Sequence, residues 1–299
     1  MESKKQISIV IPTRNRKNIL KKCLKSLNKQ SISNNKYEII VIDDGSNQDN
    51  KTMIESLNLK PDIIYRYQNH SGPAKSRNKG INLASGTYII FIDDDIIVNE
   101  QFVESHLSKL LNNHNVIVHG PVIHTKDLDN PTTAEKKISD FSTAFFATGN
   151  ASIKKSYLIE AGLFNERFYE YGWEDLEFGK RLKQLGLKAI KAENAVGYHL
   201  KYHFSPNHIK NIKEKERKRG RMAVLYHDIN PRLSVKLSTL YWKPLILILE
   251  MLTIGNWPKS NFTKKLINFS YKNNLKSLRK FIVYFVKLDS YLEGLKEGY

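Results

Sequence analysis

A single cysteine, Cys23, stands among 299 residues, so no internal disulfide can form and the chain suits a reducing compartment. No apolar run approaches the roughly 20 residues that a membrane-spanning helix needs. The start, MESKKQISIVIPT, turns strand-like too soon for a signal peptide. Both absences lead to an expectation of a cytoplasmic protein. Acidic residues are scarce as well: 30 Asp and Glu face 48 Lys and Arg, for a formal charge of +18. From Leu200 to Tyr299 the imbalance sharpens to 20 Lys and Arg against 7 Asp and Glu. This third is expected to meet something anionic, such as a membrane face, unless its lysines merely solvate helices. No glycine-rich phosphate loop follows the first apolar run, where Pro12-Thr13-Arg14-Asn15 stands instead, which speaks against a nucleotidyltransferase. No RNA- or DNA-binding motif occurs, so nucleic acid is not the expected partner.

What is present is an alternation of short apolar runs with amphipathic stretches. Residues 7–11 read as a buried strand ended by Pro12, and residues 18–28 as a helix with Ile19, Leu20, Cys23, Leu24 and Leu27 on one side. Strands are predicted at 37–42, 63–67 and 87–92, and helices at 49–57 and 74–84. Such an order specifies an α/β fold: an open, mostly parallel, Rossmann-like sheet with helices on both faces. Beyond residue 119 the pattern loosens; 116–123 predicts one strand, 126–140 a loop, and 156–161 and 175–185 helices. From Ser205 onward the chain reads as wholly helical. The expected division is a domain over 1–204, in two halves that part at about residue 100, and a basic helical region over 205–299.

Three predicted strands end in polar clusters: Thr13-Arg14-Asn15, Asp43-Asp44 and Asp93-Asp94-Asp95. In an open parallel sheet, strand ends of one direction share a rim, where ligands bind. Three adjacent carboxylates repel one another unless a cation neutralises them, and carboxylate oxygens suit Mg²⁺ or Mn²⁺. A solvated acidic turn is the competing explanation of each cluster taken alone.

The motifs IVIPTRNR (9–16), VIDDGS (41–46), GPAKSRNKGI (72–81) and FIDDDI (91–96) together resemble the large inverting family-2 glycosyltransferases of the GT-A fold, as found in bacterial polysaccharide synthesis. The resemblance covers about the first 200 residues and leaves the basic tail aside. It implies metal-dependent transfer of a sugar from a nucleotide-sugar, with a UDP carrier, to a hydroxyl of a glycan or lipid-linked glycan. By resemblance Pro12, Thr13 and Arg14 line the base, Arg14 replacing the family's frequent aromatic residue. Asp44 reads the base, Arg77 approaches the phosphates, and Asp93, Asp94 and Asp95 form the D-x-D region. Asp93 and Asp95 hold ribose and metal, with Asp95 the direct ligand.

Further on, Glu170-Tyr171-Gly172-Trp173-Glu174-Asp175 precedes a predicted helix. A carboxylate there is favoured simply as a cap, but the G-W-E-D segment resembles the family's acceptor motif, in which the aspartate is the general base. Asp175 is therefore the expected base, with Glu174 beside it and Trp173 offering a flat face to a sugar. Gly149 and Asn150 match a small-residue segment near the acceptor. His199, after an apparent strand around Ala195-Val196, completes the metal site by resemblance, with His203 as the alternative. A non-catalytic glycan- or nucleic-acid-binding protein of transferase-like shape remains the rival to an enzyme.

Overall fold

The computed structural model describes residues 5–125, 127, 130–131, 137–200, 204–252 and 254–298. The chain divides into two compact units: Met1–Tyr169 with Glu174–Tyr202, and Glu170–Trp173 with His203–Tyr299.

In the first unit, β1 (Ile7–Thr13), α1 (Lys17–Leu27), β2 (Tyr37–Asp44), α2 (Asn50–Glu55), β3 (Asp62–Gln68), α3 (Pro73–Leu83) and β4 (Tyr88–Ile92) follow in strict alternation. After them come β5 (Ile96–Val98), α4 (Phe102–Leu111), β6 (Val116–His119), β7 (Val122–Thr125), β8 (Asn150–Lys154), α5 (Lys155–Glu160), α6 (Glu174–Gln184), β9 (Lys188–Lys191) and β10 (Gly197–Leu200). Seven strands form one sheet in the order β3-β2-β1-β4-β8-β6-β9, and β5-β10-β7 form a second, smaller one. The large sheet is mostly parallel; only β8 runs against its neighbours β4 and β6. This is the α/β architecture that the alternation predicts.

The core follows from composition. β1 and β2 are covered on both faces, so they read as unbroken apolar runs rather than as alternations. Helix α1 lays Leu20, Cys23, Leu24 and Leu27 onto the sheet at helical spacing. Each fully buried Ile or Leu contributes about 1.5–3 kcal/mol. Strand β1 continues through Pro12, beyond its expected end. β4 pairs with it only as far as Val10, so Pro12 lies where β1 has an open side and its missing N–H is tolerated.

Two other expectations are corrected. The single strand predicted over 116–123 is two, β6 and β7, parted at Gly120-Pro121 and placed in different sheets. His199 does not follow a strand at Ala195-Val196; it sits inside β10, paired with Ile96 of β5 and His124 of β7.

The second unit is helical: α7 (Ile209–Ile229), α8 (Leu233–Ser238), α9 (Lys243–Met251), α10 (Asn261–Lys272) and α11 (Lys276–Glu297). α7 and α11 touch backbone to backbone at Gly220 and Gly294, where any Cβ would lie within 2.3 Å of a carbonyl oxygen. Arg217 pairs with Glu293 at 2.8 Å and Arg221 with Glu170 at 2.7 Å. Among the described residues no helix is long and apolar enough to cross a membrane. Exposed on α9 and its C-cap are Leu247, Ile248, Met251 and Leu252, at the spacing of one helical stripe that faces outward.

Candidate active site

The parallel register sets the rim. Thr13 pairs with Asp43 at the ends of β1 and β2, and the Thr13 hydroxyl donates to Asp94 Oδ2 at 2.6 Å. The three strand ends named from the sequence therefore do converge. Asp43 is wholly buried and accepts from Ser46 N, Asn50 Nδ2 and Tyr65 Oη, so it anchors the turn after β2. Asp44 accepts from Gln68 Nε2 (2.8 Å), Ser71 N (2.8 Å) and Gly72 N (3.0 Å), and His70 Nδ1 lies 2.6 Å away. Burial would raise its pKa, but the bonds from Gln68, Ser71, His70 and Gly72 outweigh burial and hold it below the usual carboxylate range. Asp44 thus organises residues 68–72, leading into α3. Arg14 is exposed and lies 2.8 Å from the other ring nitrogen of His70.

Asp94 and Asp95 are buried carboxylates at the end of β4. Burial pushes Asp94 up to about 6, against the opposing pull of Arg16 and Thr13. Asp95, where burial would do the same, is held low by His199 and Arg16. His199 Nε2 stands 3.3 Å from Asp95 Oδ2, and that bond raises the imidazole's pKa. Asp93 is the open member, its side chain 45 % exposed. A Cβ at Gly149 would lie 3.2 Å from Asp93 Oδ2, so a small residue is what lets the start of β8 approach this carboxylate.

Arg77, in the first turns of α3, reaches across the rim. Its Nη1 donates to Glu174 Oε1 at 3.0 Å, and its Nη2 lies 3.7 Å from Asp93 Oδ1. Both partners of the Arg77–Glu174 pair are 7 % exposed at the side chain. Through this arginine the acids after β4 and the first turn of α6 belong to one site. Asp175, the second residue of α6, accepts from Leu176 N at 2.9 Å, satisfying one of the N–H groups that a helix start leaves unpaired. Burial, then the neighbouring Glu174 carboxylate, push it up to about 7.

Two residues expected at the acceptor instead make contacts within the protein. Asn150 is buried; its Nδ2 donates to Pro121 O (3.1 Å) and Ala195 O (2.9 Å), and its Oδ1 lies 2.8 Å from His106 Nε2. It ties together β8, the β6–β7 turn and the approach to β10. Trp173 belongs to the second unit, where it is 9 % exposed, donates from Nε1 to Arg219 O at 2.8 Å and stacks on Tyr226. His203 lies outside the described residues. A cavity of about 190 Å³ opens beside Gly149 and Asn150, walled also by Val122, Phe141 and His124; the His124 ring stands edge-on to His199 at 5.3 Å. A larger hollow of about 570 Å³ lies between α4 and residues 191–194, and its described lining includes none of the rim acids.

The sequence reading omitted Arg16, His70 and His106. Arg16 Nη1 is 3.0 Å from Asp94 Oδ1 and 2.7 Å from Asp95 Oδ2; the signal was a second cation in IVIPTRNR, beside a rim already read as acidic. His106 occupies the buried face of α4 with Phe102, Val103, Leu107 and Leu110, a titratable group at apolar spacing. Burial lowers it to about 4, so it stays neutral.

The donor set of Asp93, Asp95 and His199, hard oxygens with one imidazole, is chemically suited to Mn²⁺ or Mg²⁺. Among the described residues no three acidic or imidazole groups stand together at ligand spacing. Arg16 lies against Asp95 Oδ2, the oxygen that His199 also faces.

Residues 8–165, more than half of the chain, match the family described as Glycosyl transferase family 2. A hyaluronan synthase of Pasteurella multocida is 30% identical over 236 residues, covering 64% of this chain. The chain spans about a quarter of that relative's length, the match covering 24% of it. Among solved structures, residues 1–349 of S. aureus TarS in complex with UDP-GlcNAc superpose with a TM-score of 0.56 at 16% identity, over 98% of this chain and 91% of that one. The mannosyltransferase PcManGT from Pyrobaculum calidifontis, in complex with GDP-Man and Mn²⁺, gives 0.62 at 13% identity, over 98% and 86%. At these identities the structural likeness is one of fold, and the fold is GT-A.

Proposed function

The chain belongs to glycosyl transferase family 2, and from that premise we propose that it is an inverting glycosyltransferase moving a sugar from a UDP-linked donor to a hydroxyl of a glycan or lipid-linked glycan. The observation that carries this reading is the reach of Arg77 from Asp93 to Glu174, which makes the D-x-D acids and the helix start bearing Asp175 neighbours. Inverting transfer needs charge neutralised at the leaving group and a proton removed at the attacking hydroxyl, with both substrates held in line.

Pro12 and Arg14 line the base, while Asp44 shapes the 68–72 loop around it. Thr13 holds Asp94, and Arg77, kept straight by Glu174, faces the phosphates. Asp93, Asp95 and His199 would hold a divalent cation, which offsets the charge growing on the departing nucleoside diphosphate. Asp175 takes the hydroxyl proton; with its pKa pushed up to about 7, it is a competent base at neutral pH. Gly149 leaves room for the acceptor beside Asp93, and Asn150 supports that wall from beneath. The exposed stripe of α9 and the many lysines of the second unit fit peripheral attachment to an anionic membrane, an apolar stripe among cations being what such an interface takes.

The reading is tested by nucleoside-diphosphate release from a donor panel, with and without Mn²⁺. The panel holds UDP-linked GlcNAc, GalNAc, Glc and Gal together with GDP-mannose. Asp175→Asn should lower transfer by about 10²–10⁴-fold and leave UDP binding intact. An active Asp175→Asn protein would refute the base assignment, and a panel without release would refute the enzyme.

A further inference from the structure

Arg16 is the residue that the donor reading leaves without a task. It precedes α1 as its N-cap but makes no side-chain capping bond, so the helix does not depend on its guanidinium. Its Nη1 bridges Asp94 Oδ1 at 3.0 Å and Asp95 Oδ2 at 2.7 Å. His199 Nε2 approaches the same Asp95 oxygen at 3.3 Å, while the other Asp94 oxygen is taken by the Thr13 hydroxyl. The two acids are 6 % and 8 % exposed at the side chain, whereas Arg16 is 49 % exposed. A pair of buried carboxylates is thus covered by a long, half-exposed side chain.

We propose that Arg16 is an internal counter-ion of this rim, holding Asp94 and Asp95 until a divalent cation arrives together with a nucleoside diphosphate. The proposal rests on the reading that Asp95 and His199 hold a divalent cation. A cation seated on Asp95 Oδ2 competes with the guanidinium for one oxygen, and two positive groups at that separation repel. Binding of the cation alone therefore carries the cost of displacing Arg16. A diphosphate removes that cost, because its anionic oxygens offer the displaced cation charge-assisted acceptors in place of the two that it leaves on the acids. Cation and nucleotide then bind cooperatively, and each raises the affinity of the other by the same factor.

The test is a titration of Mn²⁺ followed by the electron paramagnetic resonance signal of the free ion, with and without UDP. It uses the full chain and its Arg16→Gln, Arg16→Lys and Asp95→Asn variants, each checked by its melting curve. Arg16→Gln should bind Mn²⁺ without nucleotide about tenfold tighter or more than the unaltered chain, and its gain from UDP should shrink by a similar factor. Arg16→Lys keeps the charge and should behave like the unaltered chain, which separates electrostatics from loss of the side chain. If Arg16→Gln takes up Mn²⁺ alone no more tightly while UDP still promotes uptake by the unaltered chain, the counter-ion proposal fails and the metal reading stands. If the unaltered chain and Asp95→Asn alike ignore Mn²⁺ with or without UDP, both fail.

Discussion

Removing the carboxylate from Glu174 tests whether Arg77 is the strut of the site. The side chains of the pair are 7 % exposed on each side and 3.0 Å apart, and the guanidinium also lies over the Phe164 ring at 5.7 Å. Breaking a buried ion pair by removing one partner costs about 3–5 kcal/mol, because a charge is left in a poorly solvated place. Arg77 keeps Asp93 at 3.7 Å, a half-exposed carboxylate, so Glu174→Gln should fall at the lower end, about 3 kcal/mol. Arg77→Met should be similar. The double variant removes both charges and should destabilise by about 1–3 kcal/mol less than the singles combined. The three tryptophans, Trp173, Trp242 and Trp257, all lie in the second unit, so their fluorescence is the wrong probe. Native-state hydrogen exchange on peptides of β1, β4 and α3 reads the first unit directly, and about 3 kcal/mol appears there as on the order of a hundredfold faster exchange. Single variants whose effects add within about 0.5 kcal/mol would show that the pair is not coupled, and the strut argument would be lost.

The remaining predictions concern charge, space and surface. Asp175 is pushed up to about 7 by burial and Glu174; a base must be ionised, so kcat/KM should be lost as pH falls through about 7 and be retained above it. Glu174→Gln removes the nearest like charge and should move that acid limb to lower pH; an unmoved limb assigns it to another group. Gly149→Ala places a methyl 3.2 Å from Asp93 Oδ2 and should weaken joint binding of Mn²⁺ and UDP on the order of tenfold with an unchanged melting temperature; calorimetry showing unaltered affinity would refute the crowding argument. The full chain should sediment with phosphatidylglycerol-rich vesicles at low salt and be released by high salt, and Leu247→Glu with Ile248→Glu should abolish binding; equal sedimentation of the variant would dismiss the α9 stripe as the contact.

The first four strands were legible because their signals are local and repeat one logic. Buried parallel strands must be apolar throughout, and their ends must change abruptly to polar residues, so Thr13, Asp43 and Asp93 announced both the strands and the rim. β8 was not legible: Asn150–Lys154 is five residues with a polar start, and its strand state comes from lying between β4 and β6. The separation of β6 from β7 was equally hidden, since Gly120-Pro121 interrupts a run whose two parts join different sheets. Asn150 shows a different limit. Its residue type and place suggested a substrate contact, but a primary amide also closes a junction of three segments, and only coordinates distinguish an inward amide from an outward one. Arg16 was missed because a cation near acids looks like surface decoration until the distances are known.

The reversed direction of β8 separates two kinds of freedom in this molecule. Since Ile92 pairs with Asn150, the entry to β8 arrives at the very edge where β1, β2 and β4 finish. Gly149 and Asn150 therefore stand at the rim, downstream of the strands whose ends form it. A change at Gly149 alters what stands beside Asp93 without touching the register of the first four strands. On the proposed reading, that entry is where acceptor choice can change without disturbing the other strand ends, and it is there that chimeras between relatives should be cut.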